Sequence, residues 1–284
     1  MFHALLSVVV SVLLGGLPVE PAPPGTEHNP PAIGQAVSRG GVNTQTGAFS
    51  MSRVDIQLRG PGIVFEHTYN SNDTRSGPMG PGWTHNFNMH LAVPDTASDE
   101  VILVGPEGRS DHYAPGGPGT FTPPPGVSTL LGLLPDGHFA AMTRNQTVFR
   151  FDDTGRLLTI VDRYGVAIPL VYNDVGWLVS IGDPQRGPTL SLTYDADIGR
   201  LVSVGLTDDP VTTNFGYDDL GREVSLTDRT GAVTTYSYDG ASPRLSTITD
   251  PLGNVVLTNT YDDRGRVVSQ TDAIGASTTY TYGD

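Results

Sequence analysis

The chain has no cysteine. That excludes a disulfide framework and any cysteine-ligated metal site. It also has no lysine, so all 16 basic residues are arginine, against 30 acidic ones. The resulting net charge of −14 repels DNA, RNA and anionic membrane, and no basic run offsets it. Nucleic acid is therefore not an expected partner. No apolar run approaches the roughly 20 residues of a membrane-spanning helix. The longest, residues 4–17, fits the apolar core of a secretory signal, although neither Lys nor Arg precedes it and no small-x-small cleavage site follows. Sustained helical periodicity is missing beyond residue 20, while glycine (35) and proline (23) are abundant, which suits many short turns. The expected class is all-β.

Catalytic signatures are missing as well. No Gly-x-Ser-x-Gly elbow, His-Glu-x-x-His pair or phosphate-cradling glycine loop occurs. His85 and His90 are an odd number of residues apart, so on one strand they face opposite sides and share no metal. No catalytic residue, metal ligand or cofactor is expected.

What the chain has is a repeat. An aromatic residue followed by Asp or a relative recurs at Phe151-Asp152, Tyr172-Asn173, Tyr194-Asp195, Tyr217-Asp218, Tyr238-Asp239, Tyr261-Asp262 and Tyr282. The successive spacings are 21, 22, 23, 21, 23 and 21 residues, and a fixed period in this range means a repeat architecture. Each unit holds two turn signals. The first ends in glycine followed by arginine, as at Gly155-Arg156, Gly199-Arg200, Gly221-Arg222 and Gly265-Arg266. Gly176 is followed by Trp177 instead, and the copy at Asp239 runs Gly240-Ala241-Ser242-Pro243-Arg244. The second turn recurs as Asp162–Gly165, Asp228–Gly231, Asp250–Gly253 and Asp272–Gly275. Asp opens a turn by accepting backbone N–H groups, and Gly closes it by accepting positive φ. Calcium chelation by these Asp residues fits neither the EF-hand spacing nor the glycine-rich nonapeptide. Adjacent pairs such as Asp218/Asp219 and Asp262/Asp263 lie in these turns and read as turn residues rather than catalytic dyads. Between turns lie alternating runs of Val, Thr, Tyr and Leu, so each repeat reads as a two-stranded hairpin unit. Its aromatic pairs, such as Phe215 with Tyr217 and Tyr236 with Tyr238, share one strand face and are expected to face the core.

This pattern resembles the YD repeat of Rhs proteins, which also occurs in bacterial wall-associated proteins, insecticidal toxin complexes and animal teneurins. The resemblance covers roughly residues 138–284 and is carried by Tyr172, Gly176, Tyr194, Asp195, Gly199, Arg200, Tyr217, Asp218, Gly221, Arg222, Asp228, Gly231, Tyr238, Asp239, Asp250, Gly253, Tyr261, Asp262, Gly265 and Arg266. A second resemblance, to the domain preceding the repeats in many Rhs proteins, rests on Asn43, Gly47, Tyr69, Asn70, Ser71, Gly80, Gly82 and Trp83. Ala48 and His67 depart from that pattern. The same stretch reads as a β-meander, with turns at Gly60-Pro61-Gly62 and Gly80-Pro81-Gly82 and with Trp83 as a packing anchor.

The expected organisation is a signal peptide (1–20), a Pro-rich linker (21–36), an Rhs-type β domain (37–115), a Gly/Pro-rich loop (116–137) and about six YD repeats forming a curved antiparallel sheet (138–284). Six two-stranded repeats give a strip about 58 Å long, too short to enclose a protein cargo. The expectation is therefore a non-enzymatic N-terminal fragment of a secreted or cell-surface protein, part of a β-shell. The partners implied are further C-terminal repeats or a toxin domain. The alternative is a cell-surface module binding glycans. No membrane span is expected beyond the signal segment.

Overall fold

A computed structural model describes residues 37–38, 40–58, 62–94 and 100–283. The expected signal peptide and Pro-rich linker, and most of the Gly60-Pro61-Gly62 turn, lie outside the described residues. Those described form 24 β-strands and a single 3-10 turn at Asn86–Asn88. The all-β class follows directly. Among them no helix is long and apolar enough to cross a membrane.

The chain divides into two compact units. One contains Met89–Gly105 and Arg109–Val171. Its strands run from His90–Ala92 to Ala167–Tyr172, and each pairs antiparallel with the next in sequence. Leu134, Ala140, Val148 and Val161 form a buried cluster there. The expected loop over 116–137 is not wholly a loop. Thr120–Thr122 pairs with Leu130–Leu133, while Pro123-Pro124-Pro125 occupies the connection, where no ladder N–H is required.

The other unit joins Gly34–Asn88 and Pro106–Gly108 to Tyr172–Asp284. The stretch expected as one domain over 37–115 is divided between the two units, and Tyr69 and Trp83 find partners on the repeats. Ser50–Gln57 pairs with Val64–Asn70, which pairs with Trp83–His85. From Leu178–Ile181 to Ser277–Thr279 successive strands pair antiparallel.

The first turn of each repeat shows why Asp and Gly recur. Gly221 N–H donates to Asp218 O at 2.8 Å, and Asp218 N–H donates to Arg222 O at 3.0 Å. The register shifts by one residue between Gly216 and Tyr217. This is a tight turn with a bulge, whose closing residue must be left-handed. Gly221 has φ +70°, and a Cβ there would lie 3.1 Å from the Arg200 guanidinium. Gly221→Val should therefore cost about 1–3 kcal/mol. Hydrogen exchange should show the loss concentrated in neighbouring repeats, and a variant as stable as the parent would refute this turn assignment.

Candidate functional site

The repeat side chains are spent within their own turns and on neighbouring repeats. Asp218 Oδ1 accepts Leu220 and Arg222 N–H at 3.0 and 2.9 Å, and Oδ2 accepts Arg222 Nε at 2.8 Å. Burial pulls the Asp218 carboxyl upward, but the bonds from Arg222 outweigh it and hold it below the usual carboxylate range. The same arrangement recurs at Asp262 and Arg266, with Oδ1 on Arg266 N–H at 2.8 Å and Oδ2 on its Nε at 2.8 Å. Each of these arginines then covers the tyrosine of the following repeat. Arg222 lies 4.6 Å from the Tyr238 ring centre and Arg266 lies 4.7 Å from that of Tyr282. Arg222 also donates to Gly240 O and Ser242 O at 2.7 and 2.8 Å.

The tyrosine hydroxyl completes the link. Tyr217, Tyr261 and Tyr282 donate to the carbonyls of Leu201, Leu245 and Val267 at 2.7, 2.8 and 2.6 Å. Tyr238 donates to Glu223 O in the same way. Every acceptor is the residue that follows the first turn's arginine one repeat earlier. The aromatic face offered to sugars under the glycan alternative is thus engaged with protein, and Tyr236 is buried.

Arg222→Ala should cost about 1–2 kcal/mol, combining a partly shielded ion pair with a cation–π contact. Arg222→Lys should recover only part of this, because an ammonium cannot hold the carboxylate and two carbonyls in one planar fork. Equilibrium denaturation of the two variants gives the comparison.

The other predicted repeat residues hold turns. Gly176 N–H donates to Asn173 O at 2.9 Å beside half-buried Tyr172, and Tyr194 stacks on Trp177 at 5.0 Å. Asp228, Asp250 and Asp239 each accept a closing N–H, from Gly231, Gly253 and Ser242 at 2.9, 3.0 and 3.1 Å. Gly265 N–H closes on Asp262 O at 2.8 Å. The turn from Asp195 to Gly199 is one residue longer than its counterparts. Its Arg200 reaches into the N-terminal motif, donating to Ser76 Oγ at 2.8 Å and Gly77 O at 3.3 Å.

The N-terminal motif residues form its seat on the repeats. Asn43 Oδ1 accepts two N–H groups and Ser71 Oγ accepts Phe49 N–H, each at 2.9 Å. Asn70 N–H donates to Gly82 O at 2.8 Å. Gly47 O accepts Val267 N–H at 2.9 Å, and a Cβ on Gly47 would meet Arg266 at 2.3 Å. A Cβ on Gly80 would meet Gly221 O at 2.2 Å. The Tyr69 hydroxyl donates to Pro243 O at 2.9 Å and accepts Leu245 N–H at 2.8 Å. Trp83 Nε1 donates to the Tyr238 hydroxyl at 2.9 Å, with its ring 5.0 Å from that of Tyr236.

Tyr238→Phe therefore strands a buried indole donor as well as a carbonyl, whereas Tyr217→Phe strands only a carbonyl. We expect about 1–3 kcal/mol for the first and about 1 kcal/mol for the second. Equal losses in urea unfolding would contradict the bridging role of Tyr238.

Beneath this seat lies a polar cluster that sequence reasoning missed. Asp55 Oδ2 is 2.6 Å from His67 Nδ1, with both side chains fully buried. His67 pairs across strands with His85. Burial, with His67 nearby, pushes His85 down to about 3. Glu223 is 0% exposed. Burial, then Asp55, pushes its carboxyl well above the usual range, against the pull of Arg53. The signal was present in the repeat alignment. The residue after the first turn's Arg or Trp is Leu157, Leu178, Leu201, Glu223, Leu245 and Val267 in successive copies, and all six are buried. One acid stands in a row of aliphatics. Among the described residues no three His, Asp, Glu or Cys side chains are grouped to hold a metal ion.

Comparison with known proteins places this architecture. A family model for the RHS repeat matches residues 217–255 and 261–284, and one for a domain of unknown function, DUF6531, matches residues 39–113. Over 207 residues the chain is 30% identical to the tRNA(Glu)-specific nuclease WapA of Bacillus subtilis subsp. natto (strain BEST195), covering 72% of this chain and 8% of that protein. Over 206 residues it is 30% identical to the tRNA nuclease WapA of Bacillus subtilis (strain 168), covering 72% and 8%. The chain thus spans under a tenth of the length of these relatives. A crystal structure of TcdB2-TccC3 without its hypervariable C-terminal region aligns with 69% of this chain and 13% of its own, at a TM-score of 0.37 and 15% identity. The chain belongs to the Rhs/YD-repeat family, with a DUF6531 segment preceding its repeats.

Proposed function

We propose that this chain is a non-enzymatic wall segment of a secreted or cell-surface Rhs-type protein. In this reading it is the N-terminal part of a β-shell that encloses and delivers a toxin domain carried further along a longer chain. The observation that supports it is the tyrosine ladder. In four copies the hydroxyl is bonded to the preceding repeat's backbone, as befits a wall rather than a binding face. The similarity to WapA nucleases lies over a small part of those proteins, consistent with a scaffold shared by chains whose activity resides elsewhere. Residues 1–20 act as the signal peptide and 21–36 as a linker ahead of the N-terminal motif and the repeats. The partners are further repeats and the toxin domain. No cofactor, nucleic acid or membrane span enters this reading.

The test starts from the reading frame downstream of codon 284 and the complete gene product. Further repeats followed by a protease-shielded C-terminal region, exported from the producing cell, are expected. The absence of further repeats, or a C-terminal region as accessible as a free domain, would overturn the reading.

A further inference from the structure

Glu223 is out of place chemically. It opens the strand Glu223–Thr227 at a position where other repeats carry Leu or Val, and neither carboxylate oxygen has a hydrogen-bond partner. The N-terminal strand Ser50–Gln57 supplies another fully buried acid, Asp55, near enough to act on the Glu223 carboxyl, and its Oδ1 also lacks a hydrogen-bond partner. The remaining polar neighbours do not compensate. Arg53 is shared between Asp55 at 3.6 Å and Asp228 at 3.5 Å. His67, on Val64–Asn70, is committed to the other oxygen of Asp55. His85, on Trp83–His85, pairs across strands with His67. Tyr217, opposite Glu223 in register, donates to Leu201 O. On Val233–Tyr238, Tyr238 donates to the backbone carbonyl of Glu223 and the Tyr236 hydroxyl has no partner. An ionised glutamate here would feel a second carboxylate with no donor bonded to either of its oxygens. A buried charge in that position is costly, and a proton removes it.

The geometry points to Glu223 as a proton-dependent latch: as a neutral acid it lets the N-terminal strand Ser50–Gln57 pack against the repeats, and losing its proton loosens that strand while the repeats stay folded. The sign follows from the raised native pKa. Native Glu223 keeps a proton that the unfolded chain releases near the ordinary value of 4.5. The latch is therefore fully closed below that value and opens as pH rises through the native pKa. The device depends on the internal packing of this unit and not on any cargo.

Hydrogen exchange of the full chain, corrected for the intrinsic pH dependence of amide exchange, tests it. As pH rises from below 4.5, Ser50–Gln57 and Val64–Asn70 should lose roughly tenfold or more of their protection. In E223Q, which keeps the shape and cannot ionise, protection should stay level. Equal losses in parent and E223Q, or no loss in the parent, would overturn the latch. Should E223Q fail to fold, infrared spectroscopy of the parent decides. A neutral-carboxyl band that outlasts the ordinary carboxylates as pH rises, and is lost over the same pH range as the protection, is required. No such band, or loss in a different range, would equally overturn it.

Discussion

Trp83→Ala should be the most damaging single substitution in the molecule. Trp83 is 2% exposed, packs against His67, Tyr69 and Tyr236, and donates to the Tyr238 hydroxyl. Truncation removes the largest side chain at the seat, leaves a cavity between the N-terminal strands and the repeats, and frees the Tyr238 hydroxyl from its donor. The expected loss is about 3–5 kcal/mol in denaturant unfolding. Trp83→Phe, which keeps most of the volume and loses the indole N–H, should cost clearly less. If Trp83→Ala costs under about 1 kcal/mol, the N-terminal motif is an appendage rather than part of the repeat core.

The second large effect is acid sensitivity through His85. This ring is 1% exposed, stacks on Phe65 at 5.1 Å, and leaves its Nδ1 without a hydrogen-bond partner. Its native pKa is pushed down to about 3 from 6.5. A depressed histidine is neutral when folded and protonated when unfolded. Its contribution is therefore fully present above pH 6.5 and declines as pH falls towards the native value. Between pH 7 and pH 4 we expect a loss of about 2–4 kcal/mol from this group. Glu223 acts with the opposite sign over part of that range, so the quantity to compare is the difference between parent and His85→Phe. The variant should lack this component of the slope. Parallel pH profiles would show that His85 does not titrate with unfolding.

The repeats were legible in the sequence because their physics is local. An Asp accepting N–H groups two and four residues ahead, and a left-handed Gly closing the turn, leave a fixed imprint, visible at Asp218–Arg222 and Asp262–Arg266. Core-facing aromatics were legible too, since Phe215 and Tyr236 follow the two-residue alternation. The seat was not legible. Its bonds join residues far apart in the chain, such as Trp83 with Tyr238, 155 positions away, and Tyr69 with Leu245, 176 positions away. No local pattern encodes such partners. The motif marked Gly47 and Gly80 without saying what approaches them; each lies within about a bond length or two of repeat backbone or side chain once a Cβ is imagined there. The inserted residue before Gly199 could be read, but its consequence, an Arg200 turned onto Ser76 and Gly77, depended on tertiary structure. The last repeat departs again. Where earlier strands pair Phe215 with Leu226, Gln270 donates to Asn259 at 2.9 Å in a buried amide pair.

The central claim is that the N-terminal motif and the YD repeats form one cooperative structure within this unit. Native-state hydrogen exchange near pH 6, resolved to individual strands, tests it most directly. Ser50–Gln57, Val64–Asn70 and the repeat strand Val233–Tyr238 should open with the same free energy and the same denaturant dependence. If the two N-terminal strands exchange through a separate opening while Val233–Tyr238 stays protected at that pH, the claim is contradicted.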